Sequence, residues 1–304
     1  MAWITSGYIP SPRRMAVIAG TTFTQLVRMK VFLFLGLFAV ALLALSSFRL
    51  SAVLGPETGG INELVLLKNS AYGAMRVFGL FFCVAATALI IPKDAEDRIL
   101  YTILCKPVPR IDYLMGKVLG VLALTLVAVL LMDAVMTLVL WMRTDTVVAE
   151  QIASLKGRYT LEEMQPYLDR IRLQGATWNV QTGLGVMMCE FVVLSSLTLL
   201  MSCVTNGTII SALLTFMIYL AGLSRRRLFP CGWDPARMDF PGGRWRAAGS
   251  FPWFFRFQIY SVTDSALNGR LIPLSLFGSL ALITLGYFVF HMTLAAWLFR
   301  KKEF

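Results

Sequence analysis

Six apolar runs of membrane length set what this chain can fold into. They fall at roughly 31–52, 71–91, 117–141, 180–203, 207–223 and 272–299. A helix needs about 20 such residues to cross a hydrocarbon core about 30 Å thick. Lipid offers no hydrogen bonds, so each run must satisfy its own backbone N–H and C=O groups as a helix. The fifth run is short, and its full crossing is left open. The expected fold class is all-α: a polytopic membrane protein of about six spanning helices, with residues 1–304 forming one transmembrane domain.

Composition excludes the soluble alternative. Hydrophobic residues make up 57% of the chain, charged residues only 15%, and mean hydropathy is +0.70. A water-exposed surface cannot be built from so little charge. The net charge of +11 would point to nucleic acid in a soluble protein. In a membrane chain, basic residues flank spans and face anionic lipid heads. No aromatic and basic domain large enough for a duplex is present, so nucleic acid is not an expected partner. The five cysteines, Cys83, Cys105, Cys189, Cys203 and Cys231, show no CxxC or zinc-knuckle spacing. They predict neither a disulfide framework nor a metal site.

The first run starts only at Val31, behind Arg13, Arg14, Arg28 and Lys30, and reads as a signal anchor rather than a cleavable signal. Residues 15–30 place Met15, Ile18, Ala19, Phe23, Leu26 and Val27 on one helical face. That pattern predicts an amphipathic helix on the membrane surface. Basic residues near the span ends, from Arg13 to Lys117 and again at Arg300 to Lys302, place both termini on the cytoplasmic side. Arg225-Arg226-Arg227, directly after the fifth run, goes against that orientation. The outer loops are then 142–179 and 224–270. In the first, Thr160 and Glu163 have capping-box spacing, and Pro166 is expected to kink or restart the helix they begin. In the second, Trp245, Phe251, Trp253, Phe254 and Phe255 suit the headgroup layer.

Soluble-enzyme signatures are missing. The only histidine, His291, lies in the last apolar run, which leaves no Ser-His-Asp set and no HExxH. Gly116-Lys117 is followed by Val118 and lacks the upstream glycine of a P-loop. No catalytic residue, metal or cofactor is therefore expected on this chain, and any driving energy comes from a partner or a gradient. Charges inside spans are the other candidates. Arg76 and Asp133 both fall near the outer boundary, where they can pair or snorkel independently. Glu190 falls near the midplane, where it either lines a substrate path or makes a satisfied interhelical bond.

The most informative stretch, 92–120, joins the second and third runs. It opens with Asp94, Glu96 and Asp97, continues as a short amphipathic helix with Ile99, Leu100, Ile103 and Leu104, and is broken by Pro107 and Pro109. It resembles the coupling region of ATP-binding-cassette (ABC) transporter permeases of the type-two exporter family, in the multi-copper-enzyme-maturation permease branch. The residues that carry the resemblance are Arg98, Tyr101, Leu104, Lys106, Pro107, Val108, Arg110, Tyr113, Leu114, Gly116, Lys117 and Gly120, in unbroken spacing. Residues 15–35 and 251–304 are similar to that family's lead-in and ending.

The resemblance implies a permease subunit with no ATPase of its own. An ABC ATPase subunit would bind ATP and Mg, and a second permease chain would complete the path in a prokaryotic cytoplasmic membrane. Within the cytoplasmic coupling segment 92–116, Arg98, Leu100, Tyr101, Ile103, Leu104, Lys106, Pro107, Pro109, Arg110 and Tyr113 would couple to the ATPase. The substrate stays open. The rival expectation is a membrane anchor or maturation factor that recruits partner proteins without transport.

Overall fold

The computed structural model describes residues 11–29, 36–37, 61–96, 109–155, 161–175, 178–205, 207–224, 260 and 274–301. Among these residues the chain is all helical. The helices are α1 (Pro12–Arg28), α2 (Ile61–Glu96), α3 (Arg110–Leu155), α4 (Leu161–Leu173), α5 (Trp178–Val204), α6 (Thr208–Ser224) and α7 (Leu274–Lys301). Four contain stretches long and apolar enough to cross a membrane: Asn62–Asp94, Ile111–Ala153, Val180–Val204 and Leu276–Phe299. The protein is thus an all-α membrane protein.

Four of the six expected runs are seen as crossing-length helices. The fifth is α6, whose 17 residues span about 25 Å, shorter than a typical hydrocarbon core. The first, 31–52, lies outside the described residues apart from Gly36 and Leu37. So does the aromatic stretch at 245–255, together with the Arg225-Arg226-Arg227 triplet.

Two helices outrun the apolar runs that announce them. α2 begins at Ile61, ten residues before the expected 71. α3 has 46 residues and ends at Leu155 rather than 141. The apolar signal stops where Arg143, Asp145 and Glu150 appear, but no glycine or proline stands between 143 and 155 to stop the helix. A large part of the expected outer loop 142–179 is therefore helix. It packs as a small satellite core in which Leu64 of α2, Val147 of α3, and Met164, Leu168 and Ile171 of α4 come together. α4 begins at Leu161, the position that the Thr160–Glu163 spacing predicts, and continues through Pro166 without a restart.

α5 is the hub. In its most apolar window 72% of residues are buried, against 28% for α7, and it touches α2, α3, α6 and α7. This matches a helix that is apolar on all sides, since such a helix has no face to offer water. Side-chain contacts fix the path. Lys117 near the start of α3 meets Asp94 at the end of α2, and Arg143 late in α3 meets Glu63 at the start of α2, so these helices are antiparallel. Phe299 at the end of α7 stacks near Tyr113, 6.2 Å between ring centroids. The ends of α2 and α7 and the start of α3 thus gather at one end of the bundle.

α1 joins them there. A Cβ added at Gly116 would lie 2.7 Å from Ile18 Cβ and 3.0 Å from the Met15 carbonyl. At Gly120 it would lie 2.7 Å from the Ala19 carbonyl and from Thr22 Cβ. Glycines four apart on one face of α3 let the α1 backbone approach closely, as small residues do between helices in lipid. The predicted amphipathic helix exists, but its inward face is a protein contact: Thr22 and Leu26 are buried, while Val17 and Val27 stay exposed.

Candidate functional site

Charged side chains enter this bundle at a few places, and each must find a partner because lipid and apolar neighbours cannot solvate them. The deepest cluster joins α2, α5 and α6. Arg76 donates to Glu190 through two bonds, Nε to Oε2 at 3.0 Å and Nη2 to Oε1 at 2.9 Å. Tyr219 donates its hydroxyl to Glu190 Oε1 at 2.9 Å. Both carboxylate oxygens are satisfied, Glu190 is buried, and the Arg76 side chain is 21% exposed.

This corrects one expectation. Arg76 does not pair with Asp133. Because α2 starts at Ile61, Arg76 sits about 22 Å along its helix, while Glu190 sits about 18 Å along α5. The two therefore meet at similar depth, well inside the bundle. Asp133 instead accepts a hydrogen bond from Gln181 Nε2 at 2.8 Å, and its other oxygen is buried without a partner.

A second cluster closes the gathered end of the bundle. Lys117 Nζ stands 2.6 Å from Asp94 Oδ2, and the Tyr113 hydroxyl donates to the same oxygen. Tyr113 and Lys117 are four residues apart, so both project from one face of α3 toward α2. All three are buried, and Asp94 Oδ1 has no hydrogen-bond partner. Beside it, Asp112 receives the start of α1. Its Oδ2 accepts the Ser11 backbone N–H at 3.4 Å and lies 4.0 Å from Arg14 Nε. An acidic side chain there favours the positive end of α1.

Of the residues expected to couple to a partner, Arg98, Leu100, Tyr101, Ile103, Leu104, Lys106 and Pro107 lie outside the described residues. Pro109 immediately precedes α3, and its carbonyl accepts the N–H groups of Asp112 and Tyr113, so it opens that helix. Arg110 is the first residue of α3. Tyr113 is fully packed rather than available to a partner.

His291 is buried between Tyr287 and Phe290, and its Nδ1 is 2.9 Å from Ser196 Oγ. Ser196 spends its hydroxyl hydrogen on the Val193 carbonyl. Among the described residues, no group of three His, Cys, Asp or Glu side chains is placed to hold a metal.

Sequence reasoning missed Tyr219, Gln181 and Asp112 as partners. Their only signal is a polar residue on an otherwise apolar helix, which does not say what it meets. No protein-family model matches this chain, and no curated protein gives a significant match.

Proposed function

We propose that the chain is the membrane-spanning permease subunit of an ABC exporter, paired with a second permease chain and driven by a separate ATPase subunit. It would reside in a prokaryotic cytoplasmic membrane with about six spans and both termini on the cytoplasmic side. The observation that carries this reading is the unbroken series of matching residues from Arg98 to Gly120. The geometry gives several of those residues a job consistent with it. Tyr113 and Lys117 tie the start of α3 to Asp94 at the end of α2, and Gly116 and Gly120 seat α1 against α3. Segment 97–108 thus leaves and rejoins a braced set of helix ends. Force applied to such a segment reaches two helices together, which is what two-state coupling through a rigid element requires. ATP and Mg would be held by the partner.

The test places a carboxylate on the apolar face expected to enter the ATPase. Leu104→Asp should leave membrane insertion intact and sharply lower copurification with the nucleotide-binding subunit and the ATPase rate of the pair. Glu163→Gln, in α4 at the opposite end, should leave both unchanged. A Leu104→Asp protein that assembles and hydrolyses ATP like the parent reduces the segment to a connector and sinks the exporter reading.

A further inference from the structure

α1 has two working faces. Ile18, Ala19, Thr22 and Leu26 turn toward α3, as the glycine contacts and burial show. Val17, Gly20, Thr21, Thr24, Gln25 and Arg28 recur at three- and four-residue spacing on the other side. With Met29, and with Lys93 from the end of α2, they line an open cavity of about 750 Å³. That volume lies within the roughly 300–1,000 Å³ common for small-ligand sites. Lys93 follows the apolar run 71–91 by two residues, so the cavity lies beside the end of that run.

The chemistry of its wall is specific. It brings two cations together, Arg28 and Lys93, and among the described residues neither has a carboxylate within ion-pair distance. Of the two acids nearest Lys93 in the sequence of α2, Asp94 is held by Lys117, and the exposed Glu96 forms no ion pair with either cation. Thr21 and Thr24 donate their hydroxyl hydrogens to the carbonyls of Ile18 and Gly20, at 2.8 and 2.9 Å. Their oxygens therefore face a ligand as acceptors, leaving Arg28, Lys93 and the Gln25 amide as donors. Val17 and Met29 add apolar surface. An anion with an apolar tail and headgroup hydroxyls matches all of these demands. Basic pockets between helices at a membrane surface recognise phosphate headgroups in this way.

We infer that the groove between α1 and the end of α2 binds the phosphate headgroup of an anionic phospholipid. Arg28 and Lys93 hold the phosphate, Thr21 and Thr24 accept from headgroup hydroxyls, and Val17 lies against the upper acyl chain. The inference depends on the membrane character of the chain and not on the exporter reading.

Native mass spectrometry of the detergent-purified full chain tests it, with dioleoylphosphatidylglycerol, dioleoylphosphatidylcholine and inorganic phosphate as probes. Phosphatidylglycerol should be retained well above phosphatidylcholine. Arg28→Gln with Lys93→Gln should weaken retention roughly 30-fold, the effect of losing two near-surface cations. Gly20→Leu provides an independent variant, because nothing lies within 4 Å of a Cβ built at Gly20. Its side chain projects into the cavity between the threonines and the two cations, leaves both cations intact and favours the helix, so it too should weaken selective retention. Arg170→Gln with Arg172→Gln, an equal charge change on α4, should have no effect. The inference is overturned if the two cavity variants retain phosphatidylglycerol like the parent, or if phosphatidylcholine binds equally. It is likewise overturned if inorganic phosphate displaces the lipid at equal concentration, which would make the site a free-anion site.

Discussion

The mid-bundle cluster and the cluster at the gathered end use the same three parts: a carboxylate, a cation and a tyrosine hydroxyl. They differ in how completely the carboxylate is satisfied. Glu190 takes bonds on both oxygens, two from Arg76 and one from Tyr219. Asp94 receives Lys117 and Tyr113 on one oxygen and leaves the other bare. The planar guanidinium matches a carboxylate with two parallel bonds, whereas an ammonium acts as a point charge. The first cluster is consequently a closed lock between α2, α5 and α6. The second is an under-filled joint, placed where α2 leads into segment 97–108. A locked middle and a less constrained end would suit the proposed permease role, in which the bundle stays assembled while its end responds to an ATPase.

The largest expected effect comes from opening the lock. Glu190→Ala takes the carboxylate away from the Arg76 guanidinium, and breaking a buried pair in this way costs about 3–5 kcal/mol. The variant should lose most of its folded yield in detergent, read by fluorescence-detected size exclusion after a temperature ramp. Replacing both partners, Arg76→Met with Glu190→Leu, should recover much of the loss, because no buried charge is left unpaired. Additive losses in the double variant would mean that the pair is not the lock.

The joint should be more forgiving. Asp94→Asn keeps one carbonyl acceptor for Lys117 and Tyr113 and removes the bare anionic oxygen along with the charge. The expected cost is about 1–3 kcal/mol, below that of Glu190→Ala because asparagine leaves the buried Lys117 ammonium an acceptor whereas alanine removes one from Arg76. A thermal midpoint that falls as far as that of Glu190→Ala would break the comparison, since the two clusters would then be equally rigid.

Much of the fold was legible in the sequence because apolar run length reports helices directly. Runs 71–91, 117–141, 180–203 and 272–299 each lie within or largely within a described helix. Their ends were not legible, because charge marks where apolar character stops and only a backbone breaker marks where a helix stops. That is why α3 reaches Leu155. The same error displaced the expected partner of Arg76: a later start for α2 put Arg76 near the boundary, level with Asp133. Matching of side chains across helices depends on rotation and depth, which no single helix carries. The spacing of Tyr113, Gly116, Lys117 and Gly120 was visible as a pattern. The two surfaces it serves, Asp94 on one side and α1 on the other, became visible only in three dimensions.

The smallest expected effect extends the comparison to a third ion pair. Glu63 and Arg143 meet at 2.9 Å at the opposite end of the bundle, with side chains 13% and 30% exposed. Water reaches both partners, so each loses less solvation on pairing and regains more when the pair is broken. Glu63→Gln should therefore shift stability by about 0–1 kcal/mol, and raising the ionic strength should shrink even that difference. The salt-bridge lengths cannot predict this ranking, because the distance equals that of the Arg76–Glu190 contact. Burial is what separates them. If Glu63→Gln destabilised the protein as much as Glu190→Ala, the satellite core of α2, α3 and α4 would be as essential to the bundle as its middle, and exposure would not be what separates these two pairs.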